Sequence, residues 1–229
     1  MTKILLLLLV FLVFYWWIPF LLTAGVGIGV LKRKENTEKL AFTFDDGPNP
    51  IYTPMLLDLL KQHKIKATFF VVGSKAEKYP ELIARMHEEG HLIGIHNYIH
   101  KSNWIMSPWI IRRHLRKSTA IIEKITGERP VYYRPPWGLL NLLDLLLMKQ
   151  YKIIHWSVIA EDWSEKGGSE KIENRLLRNI KKGDVVLLHD CGETIGADKS
   201  APMNTIHALK NVFTELSNQS VSCVRIDEL

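Results

Sequence analysis

The stretch Lys39-Leu40-Ala41-Phe42-Thr43-Phe44-Asp45-Asp46-Gly47-Pro48 decides how the rest of this 229-residue chain is read. Residues 39–44 form a short apolar run rich in β-favouring side chains, ending on two carboxylates and a Gly-Pro turn. A run that is apolar at nearly every position fits a strand covered on both faces, as in a parallel sheet flanked by helices. Similar runs recur at 67–72, 91–95, 131–133, 152–158, 184–188 and 221–226. Helical patterns fall between them, near 80–89, 139–150, 169–182 and 202–217. Thr53-Pro54 and Ser107-Pro108 read as N-caps with proline at the first helical position, the second opening a long helix that stops near Gly127. Gly90 and Gly183 read as helix ends. Strands alternating with helices predict an α/β fold: an open or incomplete (β/α) barrel of about seven parallel strands, with a doubly wound open sheet as the alternative. Either architecture collects its chemistry at the C-terminal strand ends.

Ionisable side chains recur at those ends. Asp45 and Asp46 follow the first strand, His96 the third, Arg134 the fourth, Asp162 and Trp163 the fifth, and His189 and Asp190 the sixth. His96 and His100 stand at i and i+4, where a helical turn would place them on one face within about 5–6 Å at Cβ. With one carboxylate they would make a three-ligand site with positions left for water, which suits zinc and also fits iron or cobalt. An isolated H-x-x-x-H is more often structural; the strand-end setting and the adjacent aspartates favour the metal reading. Two neighbouring carboxylates allow one to bind metal and the other to act as base. Arg134 can hold a carboxylate in fixed bidentate geometry. His189 can supply a proton, while His63, His114, His155 and His207 read as structural. His87-Glu88-Glu89-Gly90-His91 matches the zinc-protease pattern H-E-x-x-H, but Gly90 ends the helix, so the two rings should diverge.

Together these segments resemble the polysaccharide deacetylase family (carbohydrate esterase family 4, with the NodB homology domain), across roughly residues 38–228. Thr43-Phe44-Asp45-Asp46-Gly47-Pro48 is similar to its first motif, His96 and His100 to its H-S/T-x-x-H motif, and Arg134-Pro135-Pro136-Trp137 to R-x-P-Y/W. Glu161-Asp162-Trp163 and Leu187-Leu188-His189 resemble the fourth and last motifs. The resemblance implies a deformed (β/α) barrel and a metal held by Asp46, His96 and His100, zinc first, with Co2+, Fe2+ or Ni2+ as alternatives. It implies Asp45 as catalytic base, His189 as catalytic acid, Arg134 orienting Asp45, and Asp162 tuning His189. Trp163 and Leu187 would line the pocket, and the Trp137 N–H would serve the oxyanion. Asn97 departs from the family's Ser or Thr, and Trp137 from its commoner Tyr. The implied reaction is hydrolysis of N-acetyl groups on amino sugars of a glycan: peptidoglycan, a chitin-like oligomer or an exopolysaccharide. A catalytically silent, membrane-tethered glycan-binding module is the alternative, and a zinc protease built on His87 and His91 a remote one.

Upstream, Ile4 to Leu31 is a run of 28 residues without a charge. As a helix it would reach roughly 42 Å, more than the ~30 Å of a bilayer core. Its length and its aromatic cluster at Phe14, Tyr15, Trp16 and Trp17 favour a single membrane helix over a cleaved signal peptide. The expected organisation is an anchor and basic flank over 1–35 and a catalytic domain over 36–229. The chain carries +6 overall, yet without residues 1–35 it holds 26 basic and 23 acidic residues. Half the surplus thus flanks the anchor, and no arginine-rich stripe argues for nucleic acid as a partner. Lys32-Arg33-Lys34 favours a cytoplasmic domain by the positive-inside rule, against an extracellular one for an enzyme of glycans; large domains often cross regardless of charge. Cys191 and Cys223 are too few for a disulfide framework and lack metal-site spacing.

Overall fold

The computed structural model describes residues 2–229. Nine short strands form one sheet: β1 (Val30–Leu31), β2 (Lys39–Asp45), β3 (Thr68–Val71), β4 (Leu92–Ile95), β5 (Tyr132–Tyr133), β6 (Lys152–Ile154), β7 (Val158–Ile159), β8 (Val185–His189) and β9 (Ser222–Cys223). Their order is β1-β6-β5-β4-β3-β2-β8-β7, with β9 beside the start of β2, and every pairing is parallel. β6 and β7 are four residues apart in the chain but lie near opposite ends of that order. Four residues reach at most about 14 Å, so the sheet must roll up until its two ends nearly meet. Residues after β1 cover the seam: Arg33 bridges to Asp184 just ahead of β8, and Lys34 N–H donates to the Gly183 carbonyl at 2.9 Å. The expected (β/α) barrel is present, and the open doubly wound sheet is not.

β2 is the central strand because it can be buried on both faces. Leu40, Ala41, Phe42 and Phe44 are all 0% exposed. Phe44 stacks on Phe69 of β3, and Phe42 meets Phe213 of the helix Ala201–Asn218 edge-on at 5.0 Å. At roughly 1.5–3 kcal/mol for each large apolar side chain taken from water, this strand is a main source of stability.

Several details differ from the sequence reading. The run 152–158 is two strands, because at His155 and Ser157 the chain leaves β6 and crosses the seam: His155 N–H bonds the Leu31 carbonyl and Ser157 N–H the Val185 carbonyl. The last run shortens to β9. Thr53 does not cap its helix, which spans Tyr52–Gln62; Asn49 does, its Oδ1 accepting from the N–H groups of Ile51 and Tyr52. Thr53 is occupied instead with the Asn49 N–H and the Asp190 carboxyl. Gly183 lies in the turn before β8, where φ of 86° and a donor bond to the Lys39 carbonyl need a residue without Cβ; the helix before it ends at Asn179. Residues 142–149 form a tight 3₁₀ helix capped by Asn141. Ser107 does cap Pro108–Thr126, which stops at the left-handed Gly127, and Gly90 follows the end of Pro80–Glu88. The apolar stretch 4–31 also divides. A helix fills Thr2–Val26, whereas Val30 and Leu31 pair with Ile153 and Ile154 and belong to the sheet.

Candidate active site

Strand register builds the rim. Asp45, the last residue of β2, pairs with His189 at the end of β8 and with Phe70 of β3, so a carboxylate and an imidazole meet on adjacent strand ends. Asp46 follows with φ of 76°, which turns its buried side chain toward the next loops. Its Oδ1 lies 3.3 Å from His96 Nε2 and 3.2 Å from His100 Nε2, and its Oδ2 accepts from the Thr194 hydroxyl at 2.7 Å.

His96 leaves β4 with Nδ1 2.7 Å from the Arg134 carbonyl, so that nitrogen donates and Nε2 faces Asp46. The loop from His96 to His100 is fixed at Asn97, whose backbone adopts φ of 60°. The Asn97 amide donates to Asn103 Oδ1 and the Lys101 carbonyl, and its oxygen accepts from the Tyr133 hydroxyl at 3.0 Å. The Asn97 carbonyl accepts from Gly73 N–H and the Ser118 hydroxyl. Asn in place of Ser or Thr therefore sits in a satisfied network.

Arg134 is 0% exposed and hydrogen-bonded through all three of its guanidinium nitrogens. Nη1 donates to Asp45 Oδ1 at 2.7 Å and to the Thr43 hydroxyl; Nε and Nη2 donate to the carbonyls of Ile154 and His155. Its guanidinium lies 4.3 Å from the Phe70 ring centre. Burial pulls its pKa down while Asp45 opposes the shift. With Oδ1 of Asp45 committed to Arg134, Oδ2 is the oxygen left for chemistry, 4.0 Å from His96 Nε2.

Across the rim, His189 Nδ1 is 2.8 Å from Asp162 Oδ1. Asp162 Oδ2 accepts from the His189 N–H and the Thr205 hydroxyl, which locks the pair. Burial would lower the His189 pKa, but the Asp162 carboxylate, helped by Asp46 and Asp45, outweighs it and raises the value to about 9. A folded value above the ordinary one of about 6.5 means that the proton stabilises the metal-free fold fully below pH ~6.5, and this is lost as pH rises through about 9. The stability gap between chelator-treated wild type and Asp162→Asn should therefore narrow across that window. A gap independent of pH would dissociate the pair from stability.

Burial would raise the Asp46 carboxyl, yet the His96 contact and the nearby imidazoles hold it well below the usual range. His100 is pushed down to about 4 by burial. Ionised Asp46 and neutral His100 are the forms in which these groups bind cations. Among the described residues Asp46 Oδ1 has no hydrogen-bond partner despite its burial, and Asp46, His96 and His100 offer one ligand atom each, all within 4.8 Å of one another. An orphaned carboxylate oxygen between two imidazole nitrogens fits a metal ion.

The ring of His100 packs edge-on to Trp137 at 4.4 Å. Trp137 has φ of 56°, a strained backbone for an aromatic residue, and lines the same cavity of about 420 Å³ as Asp45, Asp46, Trp163, Leu187 and His189. All ten sequence-nominated residues thus surround one region, with Arg134 and Asp162 just behind it. Glu161 points away and pairs with Arg175 and Lys171. His155 is buried with its pKa driven to about 3 by burial and by Arg134 and Lys32, and it stays outside the cavity lining. His87 and His91 do not share a helix: it ends at Glu88, and His91 Nδ1 accepts from Ala67 N–H at the opposite end of the strands. The sequence reading missed Trp156, Ile159 and residues 194–197, which complete the cavity wall. Thr194 carries no motif; its hydrogen bond to Asp46 exists only through the fold.

By sheet and rim together the chain falls in the class of barrel-fold hydrolases. More narrowly, it belongs to the polysaccharide deacetylase family, whose family model matches residues 32–153. It is 38% identical over 201 residues to a peptidoglycan-N-acetylglucosamine deacetylase of Bacillus cereus, a match covering 85% of this chain and 89% of that protein. It is 33% identical over 183 residues to a chitooligosaccharide deacetylase of Sinorhizobium fredii, covering 77% and 85%. A crystal structure of a peptidoglycan N-acetylglucosamine deacetylase superposes with a TM-score of 0.79 at 32% identity, covering 87% of this chain and 91% of that one.

Proposed function

We propose that this chain removes N-acetyl groups from amino sugars of a cell-wall glycan, peptidoglycan first, as a metal-dependent hydrolase. The observation that carries the reading is the unpartnered Asp46 Oδ1 between His96 and His100, one residue from an aspartate held by a buried arginine. Asp46, His96 and His100 would hold the ion. Two imidazoles and a carboxylate suit Zn2+, with Co2+, Fe2+ and Ni2+ as alternatives. When bound, the ion supplies a Lewis acid and a water of lowered pKa.

The protein's own groups do the rest. Asp45, anchored at Oδ1 by Arg134, accepts the proton of the attacking water at Oδ2. The Trp137 N–H donates to the oxygen that gains charge as the amide carbonyl becomes tetrahedral. His189, with Nδ1 held by Asp162, delivers its Nε2 proton to the departing amine; an amide nitrogen leaves poorly without one. Trp163 and Leu187 wall the acetyl group off from solvent. The products are acetate and a glycan with free amines.

The helix Thr2–Val26, whose most apolar 18 residues have a mean hydropathy of 2.6 and are 6% buried, anchors the chain in the membrane as a single span. The catalytic domain that follows the basic flank then works on the outer side, where such glycans lie. The test is acetate release from purified peptidoglycan and N-acetylglucosamine oligomers. Activity should vanish on chelation and return with one preferred metal. His100→Ala should need far more metal for half-activity, consistent with the 10–100-fold or greater penalties of disturbed metal shells. Chelator-resistant acetate release would overturn the assignment.

A further inference from the structure

The second half of the apolar helix does not stand free of the domain. Trp16 stacks on Trp104 with ring centres 5.9 Å apart and planes 12° from parallel, and Trp17 and Phe20 meet the same indole edge-on. Pro19 and Thr23 are buried, and the Lys32 ammonium bonds the Ala24 carbonyl near the helix end. Trp104 is itself fixed, its Nε1 donating to the Leu140 carbonyl at 3.0 Å, while Asn141 reaches the Asn103 carbonyl at 3.2 Å. Residues 103–105 and 140–144 therefore form one platform under the helix.

Among the described residues, 2–14 project beyond this dock, and Ile4 through Val10 are 45–72% exposed. The platform and the start of the helix after it bear exposed apolar surface of their own. Ile105 is 70% exposed, Trp109 78%, Ile110 45%, Leu142 46%, Leu143 38% and Leu146 54%. Isolated exposed apolar residues need no explanation, but a cluster flanking a docked membrane helix does. Beside it, Trp109 shares a depression with Arg112, Arg113, Arg116 and Lys117. Lys117 pairs with Glu77, whereas the three arginines have no acidic partner among the described residues. Tryptophan beside arginine is the composition of a membrane–water interface, with the arginines placed for anionic headgroups.

We propose that this platform is immersed in the bilayer by about 10 Å, the depth typical of interfacial segments, with Arg112, Arg113 and Arg116 against anionic lipid headgroups. This rests on the reading of Thr2–Val26 as a membrane anchor and goes beyond it. The domain is not tethered at a distance but seated on the membrane by two surfaces, the apolar helix and the platform beside it.

The test uses the full chain in phosphatidylglycerol–phosphatidylethanolamine vesicles, in a Cys191→Ser, Cys223→Ser background. Nitroxide labels are placed through Trp109→Cys, Leu143→Cys, Leu8→Cys and Thr214→Cys, the last on the outer face of Ala201–Asn218. The ratio of collisions with oxygen to collisions with a water-soluble nickel complex reports depth. The expected result is a severalfold higher ratio at 109 and 143 than at 214, approaching that at 8, with 109 becoming shallower in neutral phosphatidylcholine vesicles. A water-like ratio at 109 and 143 with a lipid-like one at 8 would overturn the platform and leave the anchor standing. Water-like ratios at all four positions would overturn both.

Discussion

Asp45→Asn will lower the rate of acetate release by about 10²–10⁴-fold, the usual contribution of a positioned general base. The substitution keeps the shape of the side chain and removes its basicity and its charge. In the structure Oδ1 accepts from Arg134 Nη1 at 2.7 Å, so Oδ2 is the oxygen available for the proton of water. The variant should keep bound metal, because Asp46, His96 and His100 are untouched. It should also denature more easily, since Arg134 would lose the one carboxylate that balances its buried charge. Steady-state kinetics beside metal content separates the two effects. A metal-loaded, folded Asp45→Asn enzyme with wild-type turnover would show that the proton goes elsewhere.

Arg134→Met will have the largest effect on stability. Breaking a buried ion pair from one side typically costs 3–5 kcal/mol, because the remaining charge is stranded. Here the stranded group is Asp45, and the carbonyls of Ile154 and His155 lose their donors as well. Against total stabilities of about 5–15 kcal/mol, that loss removes much of the margin. Arg134→Lys should rescue little, since one ammonium cannot span Thr43, Asp45, Ile154 and His155 as the planar fork does. Urea denaturation at neutral pH measures this directly. An Arg134→Met midpoint equal to wild type would mean that Arg134 serves Asp45 alone and not the fold.

Much of the site was readable in the sequence because its residues follow strands. Asp45-Asp46, His96, Arg134 and His189 each stand within a residue or two of an apolar run that the structure makes a strand. Burial on both faces leaves such runs apolar without interruption, and polar groups at their ends then stand out. The unread parts have a common physical character: they depend on contacts made across the chain. β1 is two residues long and lies in a stretch whose pattern is dominated by the helix before it. The break at 155–157 arises because the chain hands its hydrogen bonds from one edge of the sheet to the other, which no periodicity records. Thr194 reaches Asp46 across 148 residues. Asn49 displaced Thr53 as the cap because Asp190, brought alongside by β8, claims the threonine hydroxyl.

β1 has a consequence for the order in which this protein is made. Val30 and Leu31 are among the first sheet residues to be synthesised, yet their partners, Ile153 and Ile154, come some 120 residues later. Until then the strand that will seal the barrel has nothing to pair with, and it sits immediately behind an apolar helix. A helix held in the bilayer would keep that strand close to the folding domain and away from other chains. A version cut at residue 36 would lose the strand altogether and leave an edge of β6 bare, the kind of open edge that recruits strands from neighbouring molecules. In this protein the apolar helix and the last stave of the barrel are neighbours in the chain, so trimming one for convenience risks the other.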